Sequence, residues 1–412
     1  MQRLFEVPGE PSLMVMQTTE RGSVFDVGAL FEIPGHDVNR AVFRHVLYSK
    51  MGDPAIWAGV QESIQSAPNL DEDYRREILE GPLEEFVKNG ARTHHAGMID
   101  AVTGEVVTNG IPENPGPWNV VRKFSILKPT RADILGASLF DYSDFPQQDD
   151  YVVPLEFIVR FGITSSSSVY RKYLKMDPAA RKLFEQDLGV KKPLEAWQYL
   201  DRPVSDFTTK FEPTDRMLSR QEAFITSCLP GDLFADATKM TVLGAWAVRH
   251  LLAGPGLAMW DIKWEFAKTG NELVYVDTID TDSFRATLEL EFEGRKYVNH
   301  YNKQAMRDYF HLLHSDWIDA INECKARGDA EGIAFTEILA AGQEAGDYPK
   351  TPQVADEFIG IQQSKMTAIR DYMLDKIDAD TAAKDLKSAG LEEIGFYQKA
   401  DKLDALSAMN GV

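Results

Sequence analysis

Cysteine is nearly absent: the 412 residues contain Cys228 and Cys324 and no others. Two such residues cannot build a disulfide framework, and their separation lacks metal-ligand spacing. A reduced cytoplasmic setting is expected. Positive charge is also in short supply, with 44 Lys and Arg against 64 Asp and Glu and a formal net charge of −20. That balance argues against nucleic acid and against an anionic membrane as partners. An anionic substrate would have to be met by cations gathered locally. No apolar run is long enough to span a bilayer, and Met1 to Glu10 carries no apolar signal core. No internal repeat or long low-complexity tract is present. What remains is an ordinary globular composition, 44% hydrophobic and 26% charged, long enough for two or three domains.

The most informative stretch runs from Asp261 to Arg285. Two apolar runs, Trp260 to Phe266 and Leu273 to Ile279, flank Lys268-Thr269-Gly270-Asn271. This spacing predicts a β-hairpin. Side chains alternate along a strand, so Asp261, Lys263 and Glu265 share one face. Asp277, near the end of the second strand, is placed to meet Glu265. Facing carboxylates repel unless a cation lies between them, and Mg²⁺ prefers such oxygen ligands. A salt-bridged surface hairpin is the competing reading of the same pattern.

Asp261-x-Lys263-x-Glu265-Phe266, followed by Asp277 and Asp282-Ser283-x-Arg285, resembles the signature of the SAICAR synthetase family. Lys303-Gln304-x-x-Arg307 matches the family's next block. Several blocks in order are more specific than one short motif. The resemblance implies an α+β, two-lobed, ATP-grasp-like fold with antiparallel sheets, flanking helices and a C-terminal helical extension. It also implies an ATP- and Mg²⁺-dependent ligase joining L-aspartate to carboxyaminoimidazole ribotide, with small-molecule substrates only and an open oligomeric state.

Further blocks assign further residues. Arg21-Gly-Ser23-Val-Phe25-Asp26 resembles a block near the nucleotide, and Pro154-Leu155-Glu156 resembles the hinge beside adenine. Phe157-Ile-Val-Arg160, running on to Ser166, resembles the turn that grips the ribotide phosphate. Phe207-Thr-Thr-Lys210-Phe-Glu212-Pro-Thr-Asp215 resembles the segment where the lysine reaches nucleotide and substrate and the aspartate lies near the imidazole. By the same resemblance Glu265 and Asp277 hold the metal. Lys263 and Lys210 neutralise phosphoryl oxygens. Asp282, Ser283 and Arg285 position the imidazole substrate, and Lys303 and Arg307 meet carboxylates. One departure is plain: the family's Gly-Lys-x-Lys hairpin is Pro8-Gly9-Glu10-Pro11-Ser12 here, and Gly-Lys-Gly is Gly35-His36-Asp37. A diverged ligase with another azole carboxylate or amino acid, and a non-catalytic nucleotide-binding homologue, therefore stand as alternatives.

The expected organisation is an N-terminal β-rich nucleotide lobe (1–123), a hinge insertion (124–153), a central catalytic and substrate lobe (154–330) and a C-terminal helical region (331–412). A helix is expected over 38–50, with Val38, Val42, Val46 and Leu47 on one face. Residues 54–90 read as surface decoration and 170–202 as a charged helical insertion. Residues 232–253 read as a helix with Leu243, Trp246, Ala247 and His250 in the core. The vicinal His94 and His95 point to opposite strand faces, which disfavours joint metal binding. No role is assigned to 376–412.

Overall fold

A computed structural model describes residues 2–411. Its architecture is α+β, built on two antiparallel sheets. In the smaller sheet the strand order is Gln2–Val7, Glu10–Thr18, Pro115–Arg122, His95–Asp100 and Val106–Val107. In the larger sheet the main order is Met217–Leu218, Gln198–Thr209, Leu155–Ile163, Ala258–Thr269, Phe284–Phe292 and Arg295–His300. Two short strands, Asp150–Val152 and Glu272–Val276, pair with the far half of Ala258–Thr269.

The twelve-residue strand Ala258–Thr269 is the axis of the molecule. Its register sets Lys263 opposite Ile158, Asp261 opposite both Arg160 and Arg285, and Glu265 opposite Val276. Ile262, Trp264 and Phe266 alternate with the charged side chains and are buried in the main core. The helix Gly231–Ala253 packs on this apolar face. Gly244 allows the close approach: a Cβ there would lie 2.7 Å from the Trp264 ring and 3.0 Å from Tyr275. Truncating a buried aromatic such as Trp264 to alanine costs about 3–5 kcal/mol. Leu243, Trp246 and Ala247 are buried as expected, whereas His250 is exposed and bonds Ser63. His250 lies on the helix face turned from the core, while Leu252 in the same turn is buried.

The two sheets are stitched together. The amide of His94 donates to the Tyr275 carbonyl at 2.8 Å, and that of Tyr275 donates to Arg92 at 3.0 Å. The helix His36–Met51 lies between them, with Val42, Val46 and Leu47 buried. Its buried Arg44 donates to Asn119 of the small sheet at 2.9 Å and to Asp280 of the large sheet's loop at 2.9 Å. Tyr48 donates to the Asp277 carbonyl at 2.9 Å.

Two segments pack differently from the expectation, and the C-terminal region is helical as expected. Residues 54–90 form helices Pro54–Gln65, Glu72–Leu79 and Pro82–Asn89, which send Trp57, Ile64, Tyr74, Leu83 and Phe86 into the main core. They are structural walls rather than decoration; their widely spaced apolar residues converge on one side. Residues 170–202 are helical only in part, since Gln198 already begins a strand of the large sheet. Beyond residue 376, helix Ala379–Lys399 packs against Asp356–Met373 and Phe284–Phe292. Between these helices Lys365 is sealed, donating to Asn299 at 2.5 Å, the His300 carbonyl at 2.8 Å and Glu393 at 2.7 Å.

Candidate active site

The charged face of Ala258–Thr269 carries two adjoining charge clusters. At the first, Lys263 Nζ donates to Glu156 at 2.6 Å and to Glu265 at 2.9 Å, and lies 3.8 Å from Asp277. Lys210 pairs with the other oxygen of Glu265. Lys210 arrives on the loop after Gln198–Thr209, where its amide donates to the Pro154 carbonyl. Asp277 follows the strand Glu272–Val276 with φ at 68°. This left-handed conformation is sparsely populated outside glycine, though Asp tolerates it better than most residues. It ends the strand beside Glu265.

The electrostatics follow from the crowding. Burial, then the neighbouring Asp277, pushes the Glu265 carboxyl up to about 7. Burial also raises Asp277, but Lys263, a hydrogen bond from Glu265 and Lys210 outweigh it and hold Asp277 at about 2. The pair therefore shares one proton. Burial lowers Lys263, but Glu265, Asp277 and Glu156 overcome that and keep it firmly charged. Asp215 stands nearby, raised by burial and by Glu156. With that proton released, Glu156, Glu265 and Asp277 set three carboxylates against the two ammonium groups, so a cation can take the proton's place.

In the second cluster, buried Arg160 donates to Asp206 at 2.5 Å and to Asp261 at 2.9 Å, while Arg285 pairs with the same oxygen of Asp261. The hydroxyl beside Arg160 is that of Ser167, at 3.4 Å; Ser166 is 3.3 Å from Thr164 instead. Lys303 and Arg307 share a face of the helix beginning at Gln304 and lie near Asp282 and Arg285. Burial lowers both, and for each the nearest like charge adds to the effect. Asp282 pairs with Arg40 at 3.2 Å. Although burial raises Asp282, Arg40 and His36 hold it at about 2.

Most of the residues singled out in the sequence thus converge on one sheet face. Others sit apart from their expected company. Ser23 lines a small cavity with Asp282 and Lys303, and Asp26 pairs with Lys325 at 2.9 Å; among the described contacts neither touches Glu156 or Lys210. The Ser283 hydroxyl closes a turn by donating to the Thr278 carbonyl at 2.7 Å. Sequence reasoning passed over Arg40, Arg44 and Asp280. Fully buried Asp280 accepts from both arginines, at 3.1 and 2.9 Å, and fixes the loop carrying Asp277 and Asp282. The available signal was the stripe His36, Arg40, Arg44, four residues apart on an otherwise apolar helix face.

A lysine-buttressed carboxylate pair beside a basin of guanidinium and ammonium groups has the charge to hold anionic ligands. Residues 145–324 match the model of the SAICAR synthetase family, a similarity that covers less than half of the chain. A putative phosphoribosylaminoimidazole-succinocarboxamide synthase of Archaeoglobus fulgidus is 27% identical over 247 residues, 60% of this chain and 67% of its own length. The phosphoribosylaminoimidazole-succinocarboxamide synthase of Thermoplasma volcanium is 29% identical over 231 residues, 55% of this chain and 68% of its own. The matched stretch thus spans about two-thirds of these relatives. A solved SAICAR synthase of Saccharomyces cerevisiae, complexed with SAICAR, covers 92% of this chain and 93% of its own at 16% identity and a TM-score of 0.47, too loose a likeness to carry the fold.

Proposed function

We propose that this protein is an ATP-dependent ligase that joins L-aspartate to carboxyaminoimidazole ribotide, releasing ADP and phosphate. The observation that carries the reading is the Lys263–Glu265–Asp277 cluster, buttressed by Lys210 and Glu156 and adjoining the Arg285, Lys303 and Arg307 basin. The family match over 145–324 supports it.

A carboxylate does not condense with an amine at neutral pH, because oxide is a poor leaving group. In the proposed reaction a carboxylate oxygen of the ribotide attacks the γ-phosphorus of ATP and ADP leaves. The aspartate nitrogen then attacks the resulting acyl phosphate carbon, loses a proton, and phosphate departs. The barrier at phosphoryl transfer is largely one of charge and alignment. Lys263 and Lys210 neutralise phosphoryl oxygens. Glu265 and Asp277 would hold Mg²⁺, which fits the charge of the pair once its shared proton is released; Mg²⁺ commonly takes one or two carboxylates together with substrate phosphates. When bound it supplies further neutralisation of the triphosphate.

Glu156 and Lys210 are assigned to the nucleotide, Ser23 and Asp26 with them by resemblance, and Asp215 to the imidazole. Arg160 and Ser166 are assigned to the ribotide phosphate. Asp282, Ser283 and Arg285 position the imidazole, and Lys303 and Arg307 take the aspartate carboxylates. A dianionic acceptor entering so acidic a protein needs such a basin.

One observation favours a second reading, a diverged ligase. Glu10, in place of a lysine, lies exposed at the tip of the Gln2–Thr18 hairpin. The deciding experiment is a coupled ADP-release assay with Mg²⁺, ATP, the ribotide and a panel of amino acids. ADP release requiring both the ribotide and aspartate is expected. Product with a different amino acid would establish the diverged ligase, and no ADP with any acceptor would leave a binding homologue.

A further inference from the structure

A sizeable cavity lies away from these clusters. It has a volume of about 630 Å³ and opens between the Ser63–Leu70 turn, residues 190–203 and the last turns of helix Gly231–Ala253. That size suits a drug- or metabolite-sized molecule. Two of its walls belong to the 54–90 and 170–202 segments, the first outside the 145–324 family match and the second within it.

The charge of this cavity is unusual for the molecule. Lys191, Lys192 and Arg249 line it, with Asp201 the one acidic lining residue, in a protein of net charge −20. Lys191 is partly engaged, 3.1 Å from Asp71 at the rim. Arg249 is held by three rings: its guanidinium carbon lies 4.8 Å from the Phe161 centroid, 4.8 Å from Trp246 and 5.4 Å from Tyr199. Aromatic faces hold a guanidinium by charge–quadrupole attraction but accept few of its hydrogen bonds. Among the described residues no carboxylate, carbonyl or hydroxyl accepts from Arg249. Its planar fork of donors is thus fixed in place and unspent, the arrangement that suits bidentate contact with phosphate or carboxylate. Ser66 and Asn69 line the cavity from the Ser63–Leu70 turn; the Ser66 hydroxyl donates to the Glu62 carbonyl and keeps its acceptor side, and the Asn69 amide offers both donor and acceptor, which suits hydroxyls.

We propose that this cavity is a second ligand site, taking the phosphate ester of a small polyol, with the phosphate on Arg249 and Lys192. The site is distinct from the one proposed for catalysis. Arg160 and Phe161 are successive residues turned to opposite faces, Arg160 toward Asp261 and Phe161 toward Arg249 and Trp246. Trp246, in contact with the guanidinium, is the natural reporter.

The experiment titrates the whole protein with ribose 5-phosphate, inorganic phosphate and AMP, following tryptophan fluorescence and calorimetry. Saturable binding of ribose 5-phosphate is expected, tighter than that of inorganic phosphate and weakened about tenfold or more by Arg249→Gln, since a charge-assisted hydrogen bond is lost. Lys192→Glu, at an exposed position, should weaken it too and serves where Arg249→Gln does not fold. Undiminished affinity in either folded variant would mean that the sugar phosphate binds elsewhere and would overturn the proposal, as would the absence of saturable binding at millimolar concentration. Binding of inorganic phosphate alone, lost in Arg249→Gln, would keep an anion site and reject the polyol; AMP tighter than ribose 5-phosphate would reject the small polyol in favour of a nucleotide.

Discussion

Two lysine–glutamate clusters are built into this protein, and their differences separate chemistry from architecture. Lys365 and Glu393 are sealed between two C-terminal helices, and each polar atom has a partner: Lys365 has three acceptors, and Glu393 also accepts from Asn299 and Gln362. Lys263 and Glu265 sit at a cleft, where the Lys263 side chain keeps 34% of its exposure and carboxylates outnumber ammonium groups. The first cluster is neutral, closed and satisfied. The second is open and holds fewer ammonium groups than carboxyl groups. Burial of a charged pair is shared by both and therefore says little about function; unspent charge facing solvent is what sets the second apart.

The largest expected effect breaks the open cluster. Glu265→Gln or Asp277→Asn should lower ADP release by at least about a hundredfold, because each removes an anionic oxygen from the group proposed to hold Mg²⁺. Thermal unfolding should move little. Wild-type turnover in either variant would remove the hairpin from the reaction.

Breaking the closed cluster should do the reverse. Glu393→Ala strands a buried ammonium and should cost about 3–5 kcal/mol in urea unfolding, while the folded fraction keeps its turnover. A variant as stable as the parent would show that water reaches Lys365.

A smaller effect tests the basin. Arg307→Ala should raise the KM for aspartate about tenfold and leave that for ATP unchanged, as expected for loss of a charge-assisted contact. Equal changes in both would assign Arg307 to the cleft as a whole.

A fourth prediction uses pH. Burial lifts Asp308 to about 6 despite hydrogen bonds from Gln304 and Asn410. Its folded-state value lies above the unfolded one near 4, so the native state holds the proton more tightly and loses stability as pH rises from about 4 to about 6. Asp308→Asn lacks that loss. The Tm of the variant minus that of the parent should therefore increase across this window and stay flat on either side. A flat difference throughout would mean that Asp308 ionises freely.

The smallest effect belongs to the hairpin tip. Glu10→Lys should tighten ADP binding by only a few-fold, because an exposed charge is well screened. No change in calorimetry would place the tip out of reach of the phosphates.

The open cluster was legible in the sequence and the closed one was not. Alternation along Trp260 to Phe266 and the Gly270-Asn271 turn fix which residues share a face before any long-range contact is known, so Lys263, Glu265 and Asp277 could be grouped. Lys365 and Glu393 stand on separate polar-looking helices, and nothing local marks them as buried. Arg40 and Asp280 are 240 positions apart, and only the folded helix brings them together. The role of residues 54–90 was hidden for a related reason: Trp57, Tyr74 and Phe86 are sparse along the chain and become a continuous surface only when three short helices converge.

The Asp280 junction also constrains motion. One carboxylate with no solvent exposure ties two arginines of the small lobe's helix to the large sheet, and Tyr48 adds a third tie at Asp277. Swinging one lobe away from the other would strip charged groups of their partners at a cost of several kcal/mol. Hydrogen exchange should slow on nucleotide addition in the Gln2–Thr18 hairpin, while helix His36–Met51 exchanges slowly from the outset and stays so.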